Sequence, residues 1–177
     1  MSILRKILLV LVVLTTAILL YATTKPDSFR IERSLVVQAP AEKIFPLIND
    51  LHQWQAWSPW EGLDPDLKRH YSGNASGHGA VYAWDGNSKV GAGSMTITAS
   101  QPPAHIVIDL RFLRPFEARN EAEFILAPEA GGTRVTWRMT GPNPYIAKVM
   151  QVFFSPDALV GKDFETGLDK LKHLSES

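Results

Sequence analysis

Five histidines, His52, His70, His78, His105 and His173, are the side chains best suited to acid–base or metal chemistry near neutral pH. None stands in a metal-ligand spacing such as HExxH, and the chain has no cysteine to complete a zinc site or act as a thiolate nucleophile. No serine occupies a G-x-S-x-G elbow. The run GNASGHGAVYAWDGNSKVGAG, residues 73–93, is rich in glycine like a phosphate-binding loop, but no helix follows it to supply an anion site, so it reads as turns. His78 and Asp85, near one predicted strand, are the least implausible acid–base pair. Asp109, Glu117, Glu121 and Glu123 resemble an acidic cluster, yet Arg111, Arg119, Arg134 and Arg138 interleave with them. Carboxylates so placed are held ionised, as on a solvated sheet face. No catalytic residue, metal or cofactor is predicted.

The elements that must position these residues follow from periodicity. Residues 29–38 alternate Phe29, Ile31, Leu35 and Val37 against polar neighbours and read as a strand. Ala39-Pro40 ends it, and Ile44, Ile48 and Leu51 then recur at helical spacing. Pro46 within that run predicts two short helices instead of one. Residues 57–74 read as a loop. Five strands follow at 79–85, 93–100, 105–112, 118–126 and 133–140, separated by Gly86-Asn87, Pro102-Pro103, Arg114-Pro115 and Gly131-Gly132, which predicts an antiparallel meander. Asn143-Pro144 reads as the cap of a helix carrying Ile146, Val149, Met150 and Phe153. Ser155-Pro156 starts a last helix, with Val160, Phe164, Leu168, Leu171 and Leu174 in a stripe.

Before all of this, Ile7–Ala22 runs sixteen residues without a charge, preceded by Arg5 and Lys6. With Thr23 and Thr24 it just spans a hydrocarbon core roughly 30 Å thick. A cleaved signal peptide competes with an uncleaved anchor, but the best cleavage site, after Ala22, would place the large Leu20 where a small residue is needed. The favoured reading is a single-pass anchor through residues 7–24 in the inner membrane of a bacterium with two membranes, Arg5 and Lys6 cytoplasmic and the rest periplasmic. The chain divides into an anchor (1–24), a linker (25–28) and one domain (29–175). Eighteen basic and eighteen acidic residues cancel, which argues against binding nucleic acid through its phosphates. No protein partner is indicated.

The phrases VVQAPAEKIFPLINDLHQWQAWSPW, YAWDGNSKVGAGSMTI and FETGLDKLK, in that element order, resemble the SRPBCC superfamily, also called START-like or polyketide cyclase/dehydrase-like. The resemblance implies an α+β helix-grip fold, a curved antiparallel sheet around a long C-terminal helix, with an apolar cavity between them. It also implies binding of small hydrophobic molecules such as lipids or polyketides, or a cyclase- or hydrolase-like activity around Asn120, Tyr82 and Asp85. An envelope protein-interaction module with a solid core is the third reading.

Alternation alone puts Met95, Ile97, Ile108, Leu110, Phe112, Phe124, Trp137 and Met139 on one sheet face, for which a filled core is the ordinary expectation. Asn120 falls in register with that face and would need a partner if buried. Combined with the resemblance, these residues are expected to line a cavity closed by Met150, Phe153 and Phe164, with Trp57 and Trp60 at its mouth.

Overall fold

Alternating side chains bury one face of a strand and wet the other, so a run of alternating strands joined by short turns must form an antiparallel sheet with a covered side. A computed structural model describes residues 3–177, leaving the first two residues of the expected anchor outside. The strands β1 (Ser28–Val37), β2 (Lys68–Gly73), β3 (Ala80–Asp85), β4 (Ala92–Gln101), β5 (His105–Arg114), β6 (Ala118–Glu129) and β7 (Gly132–Pro142) form one sheet. Its order is β1-β7-β6-β5-β4-β3-β2, antiparallel throughout. The helices are α1 (Ile3–Thr23), α2 (Ala41–Asn49), α3 (Trp54–Trp57), α4 (Tyr145–Met150) and α5 (Pro156–Glu176). With α5 packed on the inner face of the sheet, the α+β helix-grip architecture is the one expected.

The segment 57–74 was expected to be a loop, and β2 corrects this. Its residues Lys68–Gly73 form an edge strand whose ring Tyr71 stacks on Tyr82 at 5.0 Å between centroids. An edge strand with one wet side needs few apolar residues, so hydrophobic alternation does not mark it.

The two short helices occur as expected, with Pro46 inside α2. The last carbonyls of a helix lack intrahelical partners. Here the indole N–H groups of Trp54 and Trp57 donate to Ile48 O (2.8 Å) and Leu47 O (2.9 Å), pinning α3 beneath the end of α2. Ser155 caps α5 as read, accepting from Ala158 N at 3.3 Å. Asn143 does not cap α4. Its side chain donates to Pro26 O (2.9 Å) and its backbone N–H to Asp27 O (2.7 Å), turning the expected linker into a bound segment.

Helix α5 buries Phe164, Leu168 and Leu171, but Leu174 is exposed, so the stripe stops a turn early. Two buried glycines let the helix approach the sheet. A Cβ on Gly161 would lie 2.1 Å from the Arg33 guanidinium, and one on Gly167 would lie 2.8 Å from the Trp137 ring. Arg33, on the inner side of β1 between Ile31 and Leu35, holds the helix by donating to Asp157 (2.9 Å) and Glu165 (2.6 Å).

The outer face is the solvated charge lattice expected. Asp109 accepts from Arg119 (2.6 Å) and Arg111 (2.9 Å), while Arg138 donates to both Glu32 and Glu123 at 2.6 Å. His105 lies on this face beside Glu123, at 2.7 Å. Arg138 holds Glu32, and Arg119 holds Asp109, below the usual carboxylate range.

Two predictions follow from this packing. A carboxylate with a depressed folded-state pKa stabilises fully above its unfolded value, about 4, and that contribution disappears as pH falls through the folded value. Denaturant titrations should therefore show stability flat from about pH 5 to 7 and falling below about pH 4, with a smaller acid loss in Arg138→Gln. Gly167→Ala gains up to about 1 kcal/mol of helix propensity but forces a methyl group against a stacked ring, an overpacking that costs about 1–3 kcal/mol. Its denaturation midpoint should fall.

Candidate functional site: a half-filled interior

The register divides the inner face of the sheet into two tiers. At the end bearing the β4–β5 and β6–β7 turns, Ile97, Ile106, Ile108, Phe124, Leu126 and Val135 are buried beneath α2, α3 and the second half of α5. This half is a close-packed core. Trp137 bounds it, buried to 2% exposure. Its ring stacks on Phe164 at 4.1 Å and 4°, stacks at a 28° tilt on Phe124 at 4.9 Å, and meets Trp54, Trp57 and Trp60 edge-on at 5.6–6.1 Å. Such edge and offset contacts add roughly 0.5–1.5 kcal/mol per pair beyond burial.

Past Trp137 the side chains shorten or bend. Ala122 stands one inward position along β6 from Phe124, and Met95, Leu110 and Met139 stand where the filled tier has the β-branched Ile97, Ile108 and Val135. Arg33 anchors the first turns of α5 to the β1 edge, so of α5 Val160, Asp163 and Phe164 reach over this half. A cavity of about 350 Å³ remains. Its floor is Met95, Leu110, Phe112, Ala122 and Met139, its roof Val160, Asp163 and Phe164, and its sides Trp60, Tyr82 and Trp84.

Of the residues expected to line a cavity, Met95, Leu110, Phe112, Trp137, Met139 and Phe164 do, and Trp60 stands in the wall. Ile97, Ile108 and Phe124 belong to the filled tier, each at 0% exposure. Trp57 is core too, not mouth, because its indole is drawn down to Leu47 O. Met150 and Phe153 do not close the cavity. They lie exposed on α4 and the turn after it, since the tie between Asn143 and residues 26–27 holds α4 beside the start of β1 instead of over the sheet. Asn120 is not in the wall either. Its amide lies 3.9 Å from Met139 Sδ and fits beside Gly141, where a Cβ would lie 2.1 Å from its Oδ1.

The suggested pair His78 and Asp85 sits at opposite ends of β3. Asp85 pairs with Arg114, and the His78 carbonyl accepts from Asn74. Sequence reasoning missed Glu61, the one glutamate in the stretch SPWEGLDPD. It reaches the cavity wall, where Tyr82 Oη donates to its Oε1 at 3.0 Å and Arg69 Nε donates to its Oε2 at 3.0 Å. Burial pushes the Tyr82 phenol well above its ordinary range. Among the described residues the Trp137 indole N–H is the one buried side-chain donor without a partner, and no three His, Asp or Glu side chains gather as metal ligands would.

Residues 28–176 match the family model for polyketide cyclase / dehydrase and lipid transport. No curated protein sequence matches. Among solved structures, a protein from Chromobacterium violaceum is similar at 16% identity and a TM-score of 0.59, covering 86% of this chain and 99% of that one. The Aha1 dimer of Colwellia psychrerythraea is similar at 18% identity and a TM-score of 0.56, over 84% and 96%. The di-domain ARO/CYC protein BexL, from the BE-7585A biosynthetic pathway, matches at 17% identity and a TM-score of 0.56, over 88% of this chain and 51% of that one. At these identities the likeness is one of fold.

The two tiers should respond differently to truncation. Ile108→Ala in the packed tier should lose about 2–5 kcal/mol of unfolding free energy, whereas Leu110→Ala, which enlarges an existing space, should lose less than about 2. Urea titrations of both variants check this ordering.

Proposed function

Since the chain belongs to the polyketide cyclase/dehydrase and lipid transport family, we propose that it is a membrane-anchored domain that binds a small hydrophobic molecule between its sheet and α5. The cavity of about 350 Å³ carries this reading. It falls in the size range of small-molecule sites, about 300–1,000 Å³, and has the mainly apolar wall typical of them.

Membrane attachment is supported by α1, whose 21 residues are long and apolar enough to cross a bilayer and stay exposed along nearly their whole length. Arg5 and Lys6 favour a cytoplasmic N-terminus and a domain on the outer side of the inner membrane.

The neighbourhood of Glu61 and Tyr82 favours a second reading, a cyclase- or hydrolase-like enzyme, which the fold likeness to the ARO/CYC protein also supports. Against it, Glu61 is held by Tyr82 and Arg69 and the Tyr82 phenol stays protonated, whereas Asp163, the other carboxylate in the wall, makes no such pair among the described residues. Binding by shape is the better fit.

Native mass spectrometry of the full chain released from amphipol tests the binding reading. The parent should carry one apolar molecule per chain, and Leu110→Trp should carry none while staying within about 1 kcal/mol of parental stability. In a close-packed interior the same overpacking typically costs about 1–3 kcal/mol. A parent that never carries a ligand, with a strongly destabilised Leu110→Trp, would end the proposal in favour of a solid interaction module.

A further inference from the structure

The strand register places several features at one end of the sheet. Ser28 pairs with Pro142, Phe112 with Ala118, and Ala92 with both Arg114 and Asp85. The start of β1, the end of β7, the β5–β6 turn and the β3–β4 turn therefore share an edge of the domain. Helix α1 leaves from this edge, α4 begins at it, and the cavity reaches it, bounded there by Ser88–Gly91 and by Arg114 and Pro115.

The junction is a built joint. Tyr145 Oη donates to Leu19 O at 3.0 Å, Asn143 holds Pro26 and Asp27, and the nearly buried Lys148 ammonium pairs with Asp27 at 2.5 Å. Lys25 Nζ lies 4.8 Å over the Tyr21 ring. With residues 19–27 so held, the domain cannot swing freely on its anchor.

The same end exposes large apolar side chains that nothing in the domain covers. Phe116 is 81% exposed on the β5–β6 turn and Leu113 61% near the end of β5, with Ile146 at 70% and Phe153 at 62% on and after α4. Met150 and Phe154 join them. Scattered exposed apolar residues are ordinary, but a set at one end, continuous with an apolar helix long enough to span a bilayer, needs a nonpolar neighbour.

We infer that this end of the domain lies against the lipid bilayer, with Phe116, Leu113, Ile146 and Phe153 seated in its interface, so that the cavity mouth opens toward the lipid. A hydrophobic ligand would then pass between bilayer and cavity without crossing bulk water. The inference rests on the binding reading for the purpose of the mouth, and on α1 as a span for its orientation.

Because the sequence has no cysteine, single sites can be labelled. The full chain is placed in phosphatidylcholine vesicles with an environment-sensitive fluorophore on Phe116→Cys, Phe153→Cys or Ser88→Cys, and with Glu129→Cys, on the opposite end, as reference. Labels at Phe116 and Phe153 should be blue-shifted and quenched several-fold more by doxyl-labelled lipid than the label at Glu129, with Ser88 between. Equal, water-like signals at Phe116, Phe153 and Glu129, or a chain that does not float with the vesicles, would overturn the inference. Quenching at Phe116 without any ligand in native mass spectra would sink the binding reading and keep the orientation. A retained ligand with no quenching would do the reverse.

Discussion

The parallel stack of Trp137 on Phe164, made possible by the missing side chain of Gly167, is the contact on which the interior is organised. It sets the distance between α5 and the sheet. Because α5 is rigid and its first turns are separately bound to β1 through Arg33, the gap it sets at Trp137 extends toward the N-terminal half of the helix. Where branched and aromatic side chains fill that gap the interior is solid. Where Ala122 and the methionines stand, it is not. Packing on one side of Trp137 and space on the other are thus two consequences of one spacing.

The second organising contact is at the edge. A helix at the N-terminus could be joined to its domain by free chain. Here Asn143, Tyr145 and Lys148 take up backbone and side-chain groups from residues 19–27, so α4 serves as a bracket and not as a lid. The same use of α4 explains why its apolar residues face outward: the side that meets α1 and the linker is the side committed to hydrogen bonds and the buried lysine.

The polar groups near the cavity differ in how they are held: Glu61 and Tyr82 are paired with each other, while Asp163 has no side-chain partner among the described residues. Proton transfer needs a group with an unshared lone pair or a displaceable proton at the operating pH. Glu61 is clasped by Tyr82 and Arg69, and the lattice on the outer face of the sheet is bound into ion pairs. An apolar wall with a few fixed dipoles discriminates by shape and by a small number of hydrogen bonds.

Periodicity alone marked six of the seven strands, the two short helices and the long last helix, because each buries one face against the rest of the chain and burial writes itself into residue type. It also separated the charged face from the apolar one: the stretch HIVIDLRF shows the same alternation in the structure. What alternation does not carry is depth. Ile106 and Ile108 lie in the filled tier and Leu110 and Phe112 in the cavity wall, although all four are apolar residues on one face of one strand, because the difference is made by what α5 places opposite them. The edge strand β2, the inward Arg33, the wall position of Glu61 and the outward Met150 and Phe153 were equally out of reach, since each depends on a partner distant in the chain. Local sequence determined which surfaces must be covered. Only the tertiary structure decided how closely, through glycines and an arginine whose effect exists solely where two elements meet.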